Sequence, residues 1–415
     1  MLIVLDHQAL RRLSPAELGA GKIVQASTAS SPTQAEKSPR QRRAVVIGNF
    51  DGVHRGHQEL FTQARALLRS LAPDGPEGAD AGHVVALTFW PHPTRVLAPA
   101  VAPPLITSRQ RRRELLADCG VDVLIEQPFD LRFAALSPTQ FVSELLQDSL
   151  QADAVCVGYD FNFGKGRSGN AETLATLLSE VGIRGLVVPA FAVPALDDVA
   201  GGAAPLPESP TTICSSTGIR KAVQGGKLAQ AERLLGRPVE LEGVVEHGAA
   251  RGRQLGFPTA NLRPDAELTP AVGIYAAWVE ILGPMPPEAV STSGARSLFY
   301  RPVLARHPAA VSVGYNATFT ARSTAAPTDS ASSEGAAARE SHRGGGQAAT
   351  WPQLSIEAHV IQPAGAAWLD LYGQTLRLTL LARLRDEERF ASVDALRAQI
   401  AVDVAMTRQL LGVTG

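Results

Sequence analysis

The sequence predicts two domains of different class: an α/β domain built on a parallel sheet, then an antiparallel β-barrel or sandwich with a terminal helix. Three observations carry this. Up to residue 236, short β-branched runs alternate with helical patterns, as a parallel sheet with covering helices requires. From 237 onward strand patterns succeed one another with no helix until the end. The chain also has 415 residues, too many for one typical domain and comfortable for two. The boundary is placed to give domains 1–236 and 237–415.

In the first domain the expected strands are 44–48 (AVVIG), 84–88 (VVALT), 121–125 (VDVLI), 154–158 (AVCVG) and 186–188. They are short and unalternating, the pattern of strands buried on both faces. A helix over 57–72 sets Leu60, Ala64, Leu67, Leu68 and Leu71 on one stripe. Ser137-Pro-Thr-Gln140 has the form of a capping box with proline at the first helical position, followed by Phe141, Leu145 and Leu146. Asn170 reads as the N-cap of AETLATLLSEVG. A boundary helix over 218–236 leads into the second domain. There, strands are expected at 239–245, 273–282, 311–314, 354–361 and 375–384. The last helix follows Ser392, with Val393, Leu396, Ile400, Val404 and Leu411 on one face.

Four stretches read as insertions or linkers: 25–43, 73–82, 284–307 and 320–350. The last is almost free of large apolar residues. It cannot bury enough surface to offset its ordering entropy, so disorder on a loop between strands is expected.

Composition narrows the class. The chain is 45% apolar and 19% charged with a net charge of −1, which allows a large core and offers no polyanion-binding surface; no nucleic-acid partner is expected. Three cysteines, Cys119, Cys156 and Cys214, form neither a disulfide framework nor a zinc pattern and suggest a reducing compartment. The start, MLIVLDHQALRRL, does not read as a signal peptide, because it lacks a basic stretch followed by a long apolar run, and no run of about 18 apolar residues reads as a membrane span. A cytoplasmic protein is expected; its oligomeric state is not legible.

The first expected strand runs directly into GNFDGVHRGH, residues 48–57. Glycines at a strand-to-helix turn let the backbone approach a phosphate, and the helix N-terminus adds unpaired N–H groups. His54 and His57, three apart, can face one space and donate to phosphate oxygens as charge builds on phosphorus. Gly48, Phe50, Asp51, Gly52, His54, Gly56 and His57 together resemble the HxGH nucleotidylyltransferases, specifically the flavin-adenylyltransferase domain of bacterial bifunctional riboflavin kinase/FAD synthetases. Thr88-Phe-Trp-Pro-His-Pro93, Gly158-Tyr-Asp-Phe-Asn-Phe-Gly164 and Ser215-Ser-Thr-Gly-Ile-Arg220 match the same family in order. The resemblance implies a Rossmann-like fold in which His54 and His57 contact ATP phosphates. It implies that Ser216, Thr217 and Arg220 complete that site from the opposite side. Asp160, Phe161 and Asn162 then lie near the flavin or nucleotide. Read alone, Phe161 and Phe163 serve equally as core residues, Asp160 as a turn former, and His92 as the anchor of its own loop.

In the second domain EHGAARGRQLGFPTANL, residues 246–262, carries glycines at 248, 252 and 256 among arginines. Thr259 and Asn261, two apart on an extended chain, offer a hydroxyl and an amide oxygen to one cation, a job that suits Mg2+ beside nucleotide phosphates. RGRxLGFPTAN resembles the riboflavin kinase signature; Gly273-Ile-Tyr275, Ser355-Ile-Glu-Ala-His359, Asp370-Leu-Tyr-Gly373 and Arg385-Asp-Glu-Glu-Arg-Phe390 follow in family order. That resemblance implies a six-stranded antiparallel barrel with a terminal helix. It implies nucleotide contacts from Arg251, Gly252, Arg253, Gly256 and Pro258, with Thr259 and Asn261 as metal ligands. Glu357 becomes the general base for the riboflavin 5′-hydroxyl. Strand alternation puts Ile356 and Ala358 on one face and Ser355, Glu357 and His359 on the other; a solvent-face role for Glu357 is the alternative. One departure is Asn316-Ala317-Thr318-Phe319, where the family usually has proline second.

Together the resemblances imply a bifunctional enzyme that uses ATP to convert riboflavin to FMN and FMN to FAD, with Mg2+. The alternative is a flavin-binding protein that keeps one of the two activities.

Overall fold

The computed structural model describes residues 1–4, 23–24, 41–71, 82–194, 211–247, 256–266, 268–285, 300–315, 354–363, 365–366 and 369–413. The low-complexity stretch 320–350, the 316–319 element, Arg251, Gly252 and Arg253 lie outside the described residues, as do 25–40, 73–81 and 286–299 of the other expected insertions.

The N-terminal part is a seven-stranded parallel sheet. Its strands are β1 (Leu2–Val4), β2 (Ile23–Val24), β3 (Arg43–Ile47), β4 (His83–Trp90), β5 (Val123–Pro128), β6 (Ala154–Gly158) and, beyond a small hairpin of β7 (Asn162–Phe163) and β8 (Gly169–Asn170), β9 (Arg184–Val188). The order is β2-β1-β5-β4-β3-β6-β9. All five residues of β3 are buried, as strands covered on both faces must be. A further hairpin pairs β10 (Ala192–Pro194) with β11 (Thr211–Ile213). The helices are α1 (Arg55–Ser70), α2 (Arg109–Asp118), α3 (Ala171–Glu180), α4 (Ser216–Gln224) and α5 (Leu228–Leu235). Leu60, Phe61, Ala64 and Leu68 of α1 are buried against the sheet. The capping box at Ser137 forms, and Asn170 caps α3. Strand order reverses beside β3, with β4 and β5 to one side and β6 and β9 to the other. Open α/β sheets bind ligands above the strand C-termini at such a point.

The C-terminal part is a closed antiparallel barrel of β12 (Val239–Glu246), β13 (Ala260–Pro264), β14 (Gly273–Leu282), β15 (Val303–Tyr315), β16 (Leu354–Val360) and β17 (Thr375–Arg385), in the order β12-β13-β16-β15-β14-β17. Tyr275, Val279, Val311, Val313, Leu376 and Leu378 fill it and are solvent-inaccessible. Helix α6 (Val393–Leu411) follows its N-cap Ser392.

Several expectations are corrected. The single boundary helix is two, α4 and α5, broken at Gly225-Gly226, where Gly226 has φ of +69°. The first of them begins at Ser216, capped by Ser215, so the Ser215–Arg220 motif is its first turn. Strand β15 starts at Val303, inside the stretch 284–307 read as an insertion. On α6, Val393 is exposed, Leu396, Ile400, Val404 and Leu411 are only half-buried, and the buried residues are Asp403 and Thr407. Arg385 of β17 holds Asp403 through two hydrogen bonds of 2.9 and 2.7 Å, so this helix docks by charge.

The two parts meet over a polar seam. Arg111 on α2 grips Glu240 on β12 through Nε and Nη2 at 2.9 and 3.0 Å. Glu114 on α2 accepts from Arg111 at 2.7 Å and from Arg377 on β17 at 2.8 Å. Arg377 also donates to Glu242 at 2.7 Å, and Ser108 reaches the same carboxylate at 3.0 Å. Burial alone would raise the Glu240 carboxyl; Arg111 outweighs it and holds it below the usual carboxylate range. Removing one member of such a buried set costs about 3–5 kcal/mol, because its partners keep their charge without water. Beside the seam, Val223, Leu234 and Leu235 of α4 and α5 join Val239 and Leu241 in one apolar cluster that runs into the barrel.

Candidate active sites

The first site grows from the end of β3. Gly48 is required there because a Cβ would lie 2.8 Å from the Phe50 ring. The turn then passes through three positive φ values: Phe50 at 49°, Gly52 at 83° and Val53 at 39°. Glycine tolerates this; valine does so only under constraint. His54 caps α1, its Nδ1 accepting the His57 N–H at 3.4 Å. The two imidazoles stack with centroids 3.6 Å apart and planes within 20°. Phe50 is fully buried and meets His57 edge-on, so its ring supports the histidine from below.

Protonation follows from this geometry. Because His54 Nδ1 accepts, its neutral ring carries the proton on Nε2, which is left to donate. Burial, then Arg237 and Arg220, lowers His54 to about 4. Burial and the neighbouring His54 hold His57 well below its ordinary value. His57 Nδ1 is buried with no hydrogen-bond partner among the described residues. A buried ring nitrogen without a partner is unfavourable unless a ligand meets it.

Asp51 ties two segments to the turn, 106–107 and α4. It accepts from the backbone N–H of Ile106 at 2.9 Å and Thr107 at 3.3 Å, and from Arg220 Nη2 at 2.6 Å. Ser216 donates its hydroxyl to the Asp51 carbonyl at 3.0 Å. The N-termini of α1 and α4 therefore converge, bringing Ser216 and Arg220 to the turn that carries His54 and His57; Thr217, next to Ser216, is exposed. Arg220 is already engaged with Asp51 and, at 2.7 Å, with the Pro104 carbonyl. Asp160, Phe161 and Asn162 follow β6, whose C-terminal end lies beside that of β3. Asp160 is exposed and its carbonyl takes the Asn162 side-chain amide at 2.7 Å, a turn-forming arrangement. Phe161 is half-buried and stacks on the core residue Phe163 at 5.6 Å. His92 caps the short helix Pro93–Leu97.

The depressed histidines have a consequence for stability. Between pH 6.5 and about 4 the unfolded chain binds a proton at His54 that the folded chain refuses. Stability must therefore rise with pH through that window and fall on acidification, by up to on the order of 3 kcal/mol. Urea midpoints for the ligand-free protein should drop from pH 7 to pH 5, where carboxylates contribute little, and His54→Asn should flatten the drop. Equal slopes in both proteins would contradict the assignment.

The second site lies on the barrel wall. In register, Asn261 on β13 pairs with Glu357 on β16, and Ser312 on β15 flanks it. Thr259, two residues before Asn261, donates its hydroxyl to Glu357 Oε2 at 3.1 Å. Ile356 and Ala358 point into the core while Glu357 and His359 are half-buried on the other face. His359 Nδ1 lies 3.0 Å from the Pro258 carbonyl. Next to Thr259 opens a cavity of about 350 Å³ lined by Val245, Pro258, Ala260, Leu371 and Tyr372. Tyr372 stacks on His247 at 3.9 Å. Gly256, at φ +81°, is exposed.

Residues 36–196 match the family model described as FAD synthetase, and residues 235–411 the one described as riboflavin kinase. The bifunctional riboflavin kinase/FMN adenylyltransferase of Escherichia coli (strain K12) is 32% identical over 378 residues, covering 91% of this chain and 96% of that one. The chain belongs to the bifunctional riboflavin kinase/FMN adenylyltransferase family. The member from Pseudomonas fluorescens is 31% identical over 374 residues, with coverage of 90% and 94%. A crystal structure described as a macrolide-efflux protein from Streptococcus pneumoniae superposes with a TM-score of 0.61 and 28% identity, covering 89% of this chain and 95% of that one. No helix among the described residues here is long and apolar enough to cross a membrane.

Sequence motifs missed some members of the first site. Gln58 bonds the Val53 carbonyl, and Arg237 bonds the Gly52 and Val53 carbonyls. Arg112 donates to the Asn49 carbonyl at 3.2 Å and lies over the Trp90 ring. Arg112 and Arg237 reach the turn from other elements, so no local pattern announces them; Gln58 folds back five residues from the first turn of α1.

Proposed function

We propose that the two sites act in sequence: the barrel transfers a phosphoryl group from ATP to the riboflavin 5′-hydroxyl, and the parallel-sheet domain transfers AMP from a second ATP to the FMN phosphate, releasing pyrophosphate. The supporting observation is the pair of constellations. One holds neutral stacked imidazoles between two helix N-termini; the other holds a carboxylate beside a hydroxyl and an amide. Their chemistries match the two reactions. The riboflavin hydroxyl must lose a proton, and Glu357 is the group to accept it. The FMN phosphate is already an anionic nucleophile and needs positioning and charge stabilisation, which His54 Nε2–H, His57 and the convergent N–H groups provide. Ser216, Thr217 and Arg220 act on the same polyphosphate. Asp160, Phe161 and Asn162 sit at the flavin side.

Thr259 and Asn261 offer a hydroxyl and an amide oxygen, a hard donor pair that fits Mg2+ beside nucleotide phosphates. Bound there, the ion would neutralise ATP phosphates, while the cavity beside Thr259 receives the nucleotide base. We place the domains at 1–236 and 237–415 and the enzyme in the cytoplasm, where its substrate ATP is made.

Incubating the purified chain with riboflavin, ATP and Mg2+, then separating the flavins, should show FMN rising transiently and FAD accumulating, with both ADP and pyrophosphate released. FMN without FAD, or conversion of supplied FMN alone, would reduce the protein to one activity.

A further inference from the structure

We propose that Arg237 is a positioning residue for adenylylation, holding the GNFDGVH turn in its strained form from the barrel side of the junction. This rests on the reading of that turn as the ATP phosphate site. Arg237 follows Gly236, whose φ of +77° ends α5. It is two residues before β12, on the chain entering the other catalytic domain. Its guanidinium crosses back: Nη2 donates to the Gly52 carbonyl at 2.8 Å and Nη1 to the Val53 carbonyl at 3.4 Å.

These carbonyls belong to residues with φ of 83° and 39°. A β-branched residue at positive φ persists only where its surroundings over-determine it. The Val53 carbonyl is held twice, by Arg237 and by Gln58 Nε2 at 3.0 Å; Gln58 also binds the Leu235 carbonyl at 3.0 Å. The turn is thereby tied to the end of α5 at two points. The next residue is His54, so relaxation at Val53 would move the imidazole pair. Arg237 is itself oriented by Glu240 Oε2, 3.6 Å from its Nε. Glu240 in turn is held by Arg111. The seam between the domains thus ends on the phosphate turn.

A second effect is electrostatic. His54 faces His57 on α1, Asp51 in the turn, Arg220 on α4 and Arg237 after α5. Asp51 is neutralised by Arg220 at 2.6 Å. After burial, Arg237 is the largest of the charges that disfavour the imidazolium. Without it His54 would bind a proton closer to neutral pH, and the tautomer that accepts from the His57 N–H would be lost.

The test is steady-state kinetics on full-length Arg237→Met, with Arg237→Lys as the conservative variant, measuring pyrophosphate release from FMN and ATP between pH 5 and 8. In the Met variant kcat should fall ten- to a hundredfold, with KM for FMN and ATP within threefold and riboflavin phosphorylation within twofold. The residual rate should gain an acidic limb that the unmodified enzyme lacks. Lysine should restore most of kcat and the flat profile. An unchanged kcat and profile in Arg237→Met overturns the proposal. Should that variant fail to fold, Arg237→Gln carries the test: the acidic limb must appear there, and a flat profile overturns the proposal. An unmodified chain that releases no pyrophosphate overturns the phosphate-site reading, and this assignment with it.

Discussion

Replacing Glu357 by alanine is expected to lower riboflavin phosphorylation by roughly 10²–10⁴-fold, the range for loss of a general base, while supplied FMN is still converted to FAD. The carboxylate is half-buried and anchored by the Thr259 hydroxyl at 3.1 Å, with the Asn261 side chain beside it on the same face of the sheet. A primary alcohol is a weak nucleophile at neutral pH until its proton has somewhere to go. Of the three polar groups gathered here, only the carboxylate can take it. Glu357→Gln keeps the shape and the hydrogen bond from Thr259 but cannot accept the proton, so it should be nearly as defective as alanine. If glutamine restored kcat and alanine merely raised the Mg2+ requirement, Glu357 would be a holder of Thr259 rather than a base. The adenylylation rate serves as an internal control, because β3 and β16 belong to separate sheets.

The second large effect is at the other site. His57→Ala should reduce pyrophosphate release from FMN and ATP by about 10²–10³-fold, the loss seen when one preorganised donor to a developing negative charge is removed, and leave FMN formation intact. With riboflavin and ATP the variant should therefore accumulate FMN and stop. His57 is chosen because its Nδ1 lacks a partner among the described residues and its ring rests on both Phe50 and His54. His57→Asn, which retains a short donor, should recover part of the rate. Loss of both activities in a folded variant would contradict two independent sites.

Much of this architecture was legible from residue order. Strands 154–158 and 273–282 were read with their observed bounds because their apolar runs end in glycine or loop residues. Other elements hid for physical reasons. Helix α2, RQRRRELLAD, was overlooked because its buried face is charged: Arg112 and Glu114 are buried beside Leu115 and Leu116, so no apolar stripe marks it. The same inversion on α6, which buries Asp403 and exposes Val393, Val402, Met406 and Leu410, defeated the expected face. Strand β13 is five residues long and ends in Arg263 and Pro264, too brief to show alternation. Strand β15 was clipped because its first half is exposed and contains Pro308. At the sites, motif residues close in sequence were found readily. Arg237 and Arg112 act across the fold, 184 and 63 positions from the carbonyls they hold, while Gln58 folds back five positions from the first turn of α1 to Val53.

The charged seam between α2 and the barrel bears on how such a gene can change. Two enzymes joined by a passive tether can be parted by cutting it. Here separation would strand Glu114 without Arg377, Arg111 without Glu240 and Glu242 without the Ser108 hydroxyl, in surfaces shaped to exclude water. Each half would need several simultaneous replacements before it could live alone. Once these groups came to face one another, the fused arrangement became difficult to undo one mutation at a time.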